Sequence, residues 1–250
     1  MKHNIIKEKL SSGKPVIGAW ISSVSSISAE FMAHVGFDFL IVDTEHSHIG
    51  FESTVHCFQA ICTTETVPIA RVAWNDQVLI KRLLDAGAMG LIVPMVNSPE
   101  EAERAVRAMK YPPKGNRSLA GCRAVVYYGD DYYQKANDEI AVIVQIEHPH
   151  AVKQAREILA VKGIDSCFVG PRDLAGLMGV PMGHPDHEAA IAEVVKAGKT
   201  VGTPVGINCL TLDDVNQRLE QGFQFVAVGS DLTFAVTWAK SVLAQLKVPK

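Results

Sequence analysis

The chain has 250 residues, of which 48% are hydrophobic and 20% are charged, and its formal net charge is -3 at pH 7. This length suits one large barrel or two small domains, and because no linker-like or low-complexity stretch divides the chain, we expect a single domain over residues 1–250. The slight negative charge and the dispersed Lys and Arg residues argue against nucleic acid as a partner.

The segment MKHNIIKEKL lacks the apolar core of a signal peptide, and no apolar run reaches the roughly 20 residues of a membrane span. We therefore expect a soluble, cytoplasmic protein that does not associate with membranes. The five cysteines are odd in number and form no C-x-x-C pair, which indicates buried thiols in place of disulfides or a zinc site.

In chain order, apolar strand-like runs alternate with stretches of helical period from residue 16 onward. The predicted strands are residues 16–20, 37–42, 68–72, 90–96, 140–146, 164–169, 204–208 and 223–228. The predicted helices between them are residues 26–35, 76–86, 99–109, 151–161, 187–196 and 212–220. The stretch 111–139 has no clear period, and we expect it to form an inserted loop at the mouth of the domain or at an interface.

The predicted strands are apolar throughout and do not alternate, which indicates burial on both faces and a parallel sheet covered by helices. About eight such β-α units fit a closed (β/α)₈ TIM barrel. An open doubly wound sheet is the alternative, but it lacks its usual G-x-G-x-x-G motif after the first strand.

Chemistry in a barrel of this kind occurs at the carboxyl ends of the strands, where this chain places two carboxylates. Glu147 follows the fifth predicted strand, and Asp173 follows the sixth, directly after Gly170, Pro171 and Arg172. Two such oxygen anions with room for water suit a hard divalent ion such as Mg²⁺ or Mn²⁺. The alternative is that each carboxylate caps the next helix or pairs with an arginine.

Other strand ends supply further polar candidates. Asp43 and His46 follow the second strand, where the carboxylate would hold the imidazole and make it a general base. Arg71, in the third strand, would stabilise a developing enolate oxygen or form a structural ion pair with Asp43 or Glu45. The remaining candidates at strand ends are Trp20, Gln145, Asn208, Ser230 and Asp231.

No predicted strand contains a lysine, which disfavours a Schiff-base mechanism. Asp85 is expected to end a helix just before the fourth strand, a position from which it could reach a neighbouring subunit. The chain has neither a G-x-S-x-G elbow nor a glycine-rich phosphate loop with a lysine.

Eight segments together resemble the HpcH/HpaI aldolase family of metal-dependent pyruvate aldolases. They cover nearly the whole chain in the same order. The segments are GAW at 18–20, DFLIVDTEHSHI from Asp38, PIARV from Pro68, LLDAGAMGLIVPMVNSPEEAE from Leu83, YPPKGNR from Tyr111, VQIE at 144–147, GIDSCFVGPRDL from Gly163 and FVAVGSD from Phe225.

The resemblance implies a (β/α)₈ barrel whose last helix is exchanged between subunits, in a homo-oligomer that is commonly a hexamer, a trimer of dimers. It implies reversible cleavage of 4-hydroxy-2-oxo acids to pyruvate and an aldehyde. Glu147 and Asp173 would hold Mg²⁺, Mn²⁺ or Co²⁺, which chelates the substrate. His46 and Asp43 would move the proton of the 4-hydroxyl group, and Arg71 would neutralise the enolate of pyruvate.

The resemblance also assigns supporting roles. Gln145 would support the metal or the substrate carboxylate, Asp85 would reach the base from a neighbouring chain, and Trp20 would line the pocket. Substrate contacts are further expected from Gly170, Pro171, Arg172 and Asp173. Two rival functions are a related carbon-carbon lyase that acts on a CoA thioester or another oxo acid, and a non-catalytic metabolite-binding barrel.

Two segments depart from the family pattern. The run SLAGCRAVVYYGDDYY follows YPPKGNR where the family has a small-residue run, and Arg172 stands before Asp173 where the family commonly has a small residue. The Arg172 guanidinium would point to solvent or bind a second carboxylate of the substrate. These departures affect the aldehyde specificity and leave the catalytic set intact.

Overall fold

The computed structural model describes residues 1–246, and its eight strands form one closed parallel barrel in chain order. Strands β1 to β8 are Val16–Ile21, Phe39–Asp43, Val67–Arg71, Gly90–Val93, Ala141–Ile146, Ser166–Val169, Val205–Cys209 and Phe225–Ser230. Nearly all strand residues are buried, which confirms that helices cover the sheet. The predicted (β/α)₈ class is therefore confirmed.

The helices surround the barrel. Helices α1 to α13 are Ile5–Ser11, Ser26–Ala33, Phe51–Ile61, Gln77–Ala86, Pro99–Met109, Arg123–Tyr128, Tyr132–Glu139, Pro149–Lys153, Ala155–Leu159, Pro171–Met178, Pro185–Val201, Leu212–Gln221 and Asp231–Gln245. Helix α5 has its predicted bounds, and Ser98 caps it by accepting a hydrogen bond from the N–H of Glu101. Within residues 1–246 no helix has the length and apolar character needed to cross a bilayer.

Three predicted elements are corrected by the structure. The stretch 111–139 is not a loop at the mouth: it contains α6 and α7, and α6 packs against α4 on the flank of the barrel. The predicted helix 151–161 is two short helices, α8 and α9. The fourth strand ends at Val93 because the chain turns at Met95, whose φ is 52°.

Several helices have no sequence prediction. Helix α3 lies between β2 and β3, α10 follows β6, and α13 closes the described chain. Asp173 therefore does not end a strand but is the third residue of α10. This helix projects its first turn from the carboxyl end of β6, so Asp173 still faces the catalytic end of the barrel.

Candidate functional site

A cavity of about 480 Å³ opens at the carboxyl ends of the strands. Nine of the predicted site residues line it: Trp20, Asp43, His46, Arg71, Gln145, Gly170, Pro171, Arg172 and Asp173. They come from β1, β2, β3, β5 and the first turn of α10. The barrel thus brings together side chains that are up to 153 residues apart in sequence, counted from Trp20 to Asp173.

The register between β2 and β3 places Asp43 directly beside Arg71. Arg71 donates to both carboxylate oxygens of Asp43, from Nε at 2.9 Å and from Nη2 at 2.7 Å. Its Nε also lies 3.2 Å from Glu45 Oε2, and its guanidinium lies over the Trp20 ring, 4.6 Å from the centroid. Burial lowers the pKa of Arg71, but the carboxylates of Asp43, Glu45 and Glu147 outweigh it and raise that pKa.

The expected contact between the Asp43 carboxylate and the His46 imidazole is not formed. Asp43 Oδ1 instead accepts from the backbone N–H groups of Glu45 at 3.1 Å and His46 at 3.3 Å, which fixes the turn after β2. The carboxylate closest to the imidazole belongs to Glu45, whose Oε2 lies 3.8 Å from His46 Nε2. Asp43 therefore acts on His46 through the backbone of this turn.

Glu45 is a site residue that the sequence suggested only as a partner of Arg71. Its side chain is 13% exposed. Burial raises the pKa of the Glu45 carboxyl to about 7; Arg71 opposes this shift, and Glu147 adds to it. A carboxyl group beside an imidazole therefore changes its charge near neutral pH.

Glu147 follows β5 and is 2% exposed. Its Oε1 accepts from the N–H of Met95 at 2.8 Å, and its Oε2 accepts from the Gln145 side chain. Met95 holds a left-handed conformation that is uncommon for a residue other than glycine, and this conformation aims its N–H at the carboxylate. A Cβ at Gly170 would lie 2.6 Å from Glu147 Oε2, so position 170 requires glycine.

Glu147 and Asp173 are close enough to interact electrostatically. Burial raises the pKa of Glu147, the bonds from Gln145 and Met95 lower it, and the Asp173 charge raises it further. Gln145 Oε1 is buried and has no hydrogen-bond partner within residues 1–246. Two mutually repelling carboxylates and an unpartnered amide oxygen form a donor set that fits a hard divalent cation.

Within residues 1–246 there is no group of three or more His, Cys, Asp or Glu side chains placed to hold a metal ion. An ion at this site would thus have two protein carboxylates. Water or a chelating substrate would supply its remaining ligands.

Two predicted site residues are not among those that line the cavity. Glu147 lies against the lining residues Gly170 and Gln145, whereas Asp85 lies away from the cavity of its own chain. Asp85 is in the last turn of α4, where its Oδ1 accepts from Arg117 Nη2 at 2.8 Å. Helices of this barrel run back toward the amino ends of the strands, so the end of α4 is far from the carboxyl face.

The lining also includes residues that the sequence analysis did not select, namely Ser22, Phe168, Met182, Leu210, Gly229 and Thr233. Asn208 and Ser230, which were noted only as strand ends, join them. Asn208 Oδ1 accepts from Trp20 Nε1 at 2.7 Å and so connects β7 to β1 across the mouth. Of the six residues not selected, only Ser22 and Leu210 directly follow a strand; the others lie within β6 or β8, in α13 or in the loop after α10, so the set shares no sequence signal.

The closed barrel and the charged cavity at its carboxyl face define a (β/α)₈-barrel enzyme. The family model for HpcH/HpaI aldolase/citrate lyase matches residues 16–237. The chain belongs to this family, which confirms the resemblance found in the sequence.

Two similar curated proteins are aldolases. The 2-dehydro-3,6-dideoxy-6-sulfogluconate aldolase of Pseudomonas putida is 43% identical over 236 residues, which are 92% of each chain. The 4-hydroxy-2-oxo-heptane-1,7-dioate aldolase of Shigella sonnei (strain Ss046) is 40% identical over 97% of this chain and 94% of its own. This chain is accordingly an aldolase, a carbon-carbon lyase.

A solved structure shows the same architecture. The HpcH/HpaI aldolase/citrate lyase family protein from Burkholderia cenocepacia J2315 is 35% identical, with a TM-score of 0.94, over 98% of this chain and all of its own.

Proposed function

We propose that the enzyme reversibly cleaves a 4-hydroxy-2-oxo acid to pyruvate and an aldehyde, with a divalent ion held by Glu147 and Asp173. The observation that supports this most strongly is the buried Glu147 carboxylate, which Met95 and Gln145 hold against Gly170 and which interacts electrostatically with Asp173 and Arg71. The reaction must stabilise negative charge at the C2 oxygen as the C3–C4 bond breaks. Arg71 and Asp173 line the cavity, and Glu147 lies against its lining residues Gln145 and Gly170.

The electron pair of the broken bond moves from C3 to the C2 oxygen, and the proton of the 4-hydroxyl leaves so that C4 becomes the aldehyde. His46 lines the cavity with a side chain that is 62% exposed, and it would take that proton directly or through water. Protonation of the resulting enolate at C3 gives pyruvate. The cycle therefore balances without an oxidant or a second substrate.

Arg71 is the group that this chain directs at the developing oxygen charge. Its bidentate pair with Asp43 fixes the guanidinium at the end of β3, so little reorganisation is needed during the reaction. Glu147 and Asp173 would hold Mg²⁺, Mn²⁺ or Co²⁺. When bound, the ion supplies Lewis-acid stabilisation of the oxygen charge. Gln145 holds Glu147 in place, and Trp20 forms a wall against Arg71.

The identity of the aldehyde that the enzyme uses can be tested. The substrates named for the two curated relatives, a 6-sulfogluconate derivative and a 1,7-dioate, both have a second acidic group. We would incubate the enzyme and Mn²⁺ with ¹³C-labelled pyruvate and a panel of acidic, aliphatic and sugar-derived aldehydes. NMR should show a new C3–C4 bond with at least one aldehyde. Failure with every aldehyde, together with cleavage of a CoA thioester, would favour the rival lyase.

The C-terminal helix supports an oligomer. Helix α13 exposes a large apolar surface that includes Trp238, which is 72% exposed, and Leu243, which is 70% exposed. We propose that residues 1–250 form a single barrel domain and that α13 is exchanged between the subunits of a hexamer. Sedimentation should give a mass six times that of one chain, and Trp238→Glu should lower it.

Asp85 would then act on a neighbouring site. Arg117 fixes its carboxylate at 2.8 Å, and 24% of the Asp85 side chain is exposed. Mixed oligomers of Asp85→Ala and His46→Ala subunits should recover activity that each variant lacks, because some sites would combine intact residues from both. No recovery would leave Asp85 with a structural role.

We also propose a cytoplasmic location. The five cysteines, Cys57, Cys62, Cys122, Cys167 and Cys209, are all free thiols in the structure. Fractionation of the source cells should place the protein with cytoplasmic markers.

A further inference from the structure

Arg172 differs from the other arginine in the cavity. Arg71 is held by Asp43 and Glu45, whereas the exposed Arg172 side chain makes no hydrogen bond or ion pair with any residue in 1–246. Both residues line the same cavity. Arg172 therefore supplies a positive charge there that forms no ion pair within residues 1–246.

The position of Arg172 in its helix is unfavourable for a positive charge. It is the second residue of α10, whose cap, Gly170, offers no side-chain hydrogen bond. A cation in the first turn opposes the helix dipole, which favours anions there. The neighbouring Asp173 is not its partner, because consecutive helical residues do not face each other. The charge does not stabilise the fold and is available to an anionic ligand.

The cavity lining near its opening has a matching chemical character. Met182 is 44% exposed and Leu210 is 54% exposed, and both line the cavity with Arg172. Thr233 and Asn208 add polar groups to the same lining. A ligand that fits these groups has a short chain that contacts Met182 and Leu210 and ends in an anion.

The reacting end of the cavity has different groups. Glu147, Asp173 and Arg71 are assigned to the oxo acid half of the substrate. Arg172 directly precedes Asp173, and because consecutive Cα atoms are about 3.8 Å apart, its backbone lies next to that half. Its long, flexible side chain can reach outward from Asp173 toward the aldehyde half.

We propose that Arg172 determines specificity by binding the terminal carboxylate or sulfonate of the aldehyde half of the substrate. The proposal rests on the proposed aldol reaction. A guanidinium binds either group through two parallel N–H···O bonds, which a lysine cannot reproduce.

The test compares charged aldehydes with neutral analogues in aldol addition to pyruvate with Mn²⁺. Succinate semialdehyde is paired with its terminal amide, and 3-sulfolactaldehyde is paired with lactaldehyde. The readout is the ratio of kcat/KM for the charged aldehyde to that for its neutral analogue. Comparison of the two pairs distinguishes a carboxylate from a sulfonate substrate.

Arg172→Ala should lower this ratio by about 10- to 100-fold for the preferred anion, and Arg172→Lys should lower it less. The matched control is Arg156→Ala, which removes an exposed arginine of α9 whose side chain makes no hydrogen bond or ion pair within residues 1–246 and should leave the ratio unchanged. An unchanged ratio in Arg172→Ala for both pairs would overturn the proposal, whether kcat/KM falls equally or stays constant.

The wild-type enzyme separates this proposal from the proposed function. Absence of metal-dependent proton exchange from the pyruvate methyl group would contradict the aldol reaction itself. Normal exchange with no selectivity change in Arg172→Ala would contradict only the role of Arg172.

Discussion

Two buried arginines of this barrel have closely similar surroundings and lie in different regions. Arg71 pairs with Asp43 and lies 4.6 Å from the Trp20 ring centroid. Arg117 pairs with Asp85 at 2.8 Å and lies 4.4 Å from the Tyr111 ring centroid. Each is a desolvated guanidinium with a carboxylate partner and an aromatic face.

Their settings differ. Arg71 is at the carboxyl end of β3, lines the cavity, and has Glu45 and Glu147 near it as well as Asp43. The Arg117 side chain is fully buried on the flank of the barrel, donates to the Tyr132 hydroxyl, and leaves Nε and Nη1 without a partner within residues 1–246. A buried ion pair therefore does not identify a site by itself. The cavity and the surplus of carboxylates do.

The largest effect is expected from the carboxylates. Glu147→Ala or Asp173→Ala should lower metal-dependent pyruvate proton exchange at least ~10³-fold, because the proposed ion would lose one of its two protein ligands. Circular dichroism should show an intact barrel. Glu157→Ala, in helix α9, is the control and should exchange normally. Full activity in Asp173→Ala would contradict the metal assignment.

Arg117→Met should lower the free energy of unfolding by about 3 kcal/mol, because Asp85 and the Tyr132 hydroxyl lose their partner. The double variant Arg117→Met with Asp85→Leu should recover most of this loss, since neither charge of the pair remains. Urea denaturation measures both. A single variant as stable as the wild type would show that this pair adds nothing to the fold.

Arg71→Lys should lower kcat by about 10²-fold, because an ammonium group cannot reproduce the fixed two-pronged geometry at the oxygen charge. The Mn²⁺ dissociation constant, measured by electron paramagnetic resonance, should change much less. Arg104→Lys, on the exposed face of α5, is the matched control. A loss of Mn²⁺ affinity as large as the loss of kcat would place Arg71 in metal binding instead.

The smallest effect concerns pH. The folded pKa of Glu45 is raised to about 7 from an ordinary 4.5, so between these values the folded state binds more protons than the unfolded state. Stability from this group is therefore complete below pH 4.5 and falls as pH rises toward 7, by on the order of 1–3 kcal/mol. Glu45→Gln in EDTA should show a flatter stability profile across pH 5–8. A free energy of unfolding of the wild type that rises with pH over this range would contradict this prediction.

The sequence predicted the barrel because every strand is a short apolar run buried on both faces, a signal that is local and strong. Helices α6 and α7 escaped prediction because they have only 6 and 8 residues and Gly129 interrupts them. Helices so short form through tertiary packing, which no local period reports.

At the site, residue types at strand ends were enough to select the charged members other than Glu45, which the sequence suggested only as a partner of Arg71. Their pairing was not predictable: whether Arg71 meets Asp43 or only a ligand depends on the register of β2 and β3, and the backbone contacts of Asp43 depend on the turn after β2. Apolar lining residues such as Met182 and Leu210 resemble any exposed hydrophobic residue until the barrel brings them together.

The most direct test of the proposed enolate chemistry is proton-deuterium exchange at the pyruvate methyl group, followed by NMR with Mn²⁺ or Mg²⁺ and after EDTA. This half-reaction needs no aldehyde, and in the proposed mechanism it would depend on Glu147, Asp173, Arg71 and their neighbours. We predict exchange that requires the ion, stops with EDTA and returns when the metal is restored. Exchange that EDTA leaves unchanged, or no exchange with any divalent metal, would contradict the account.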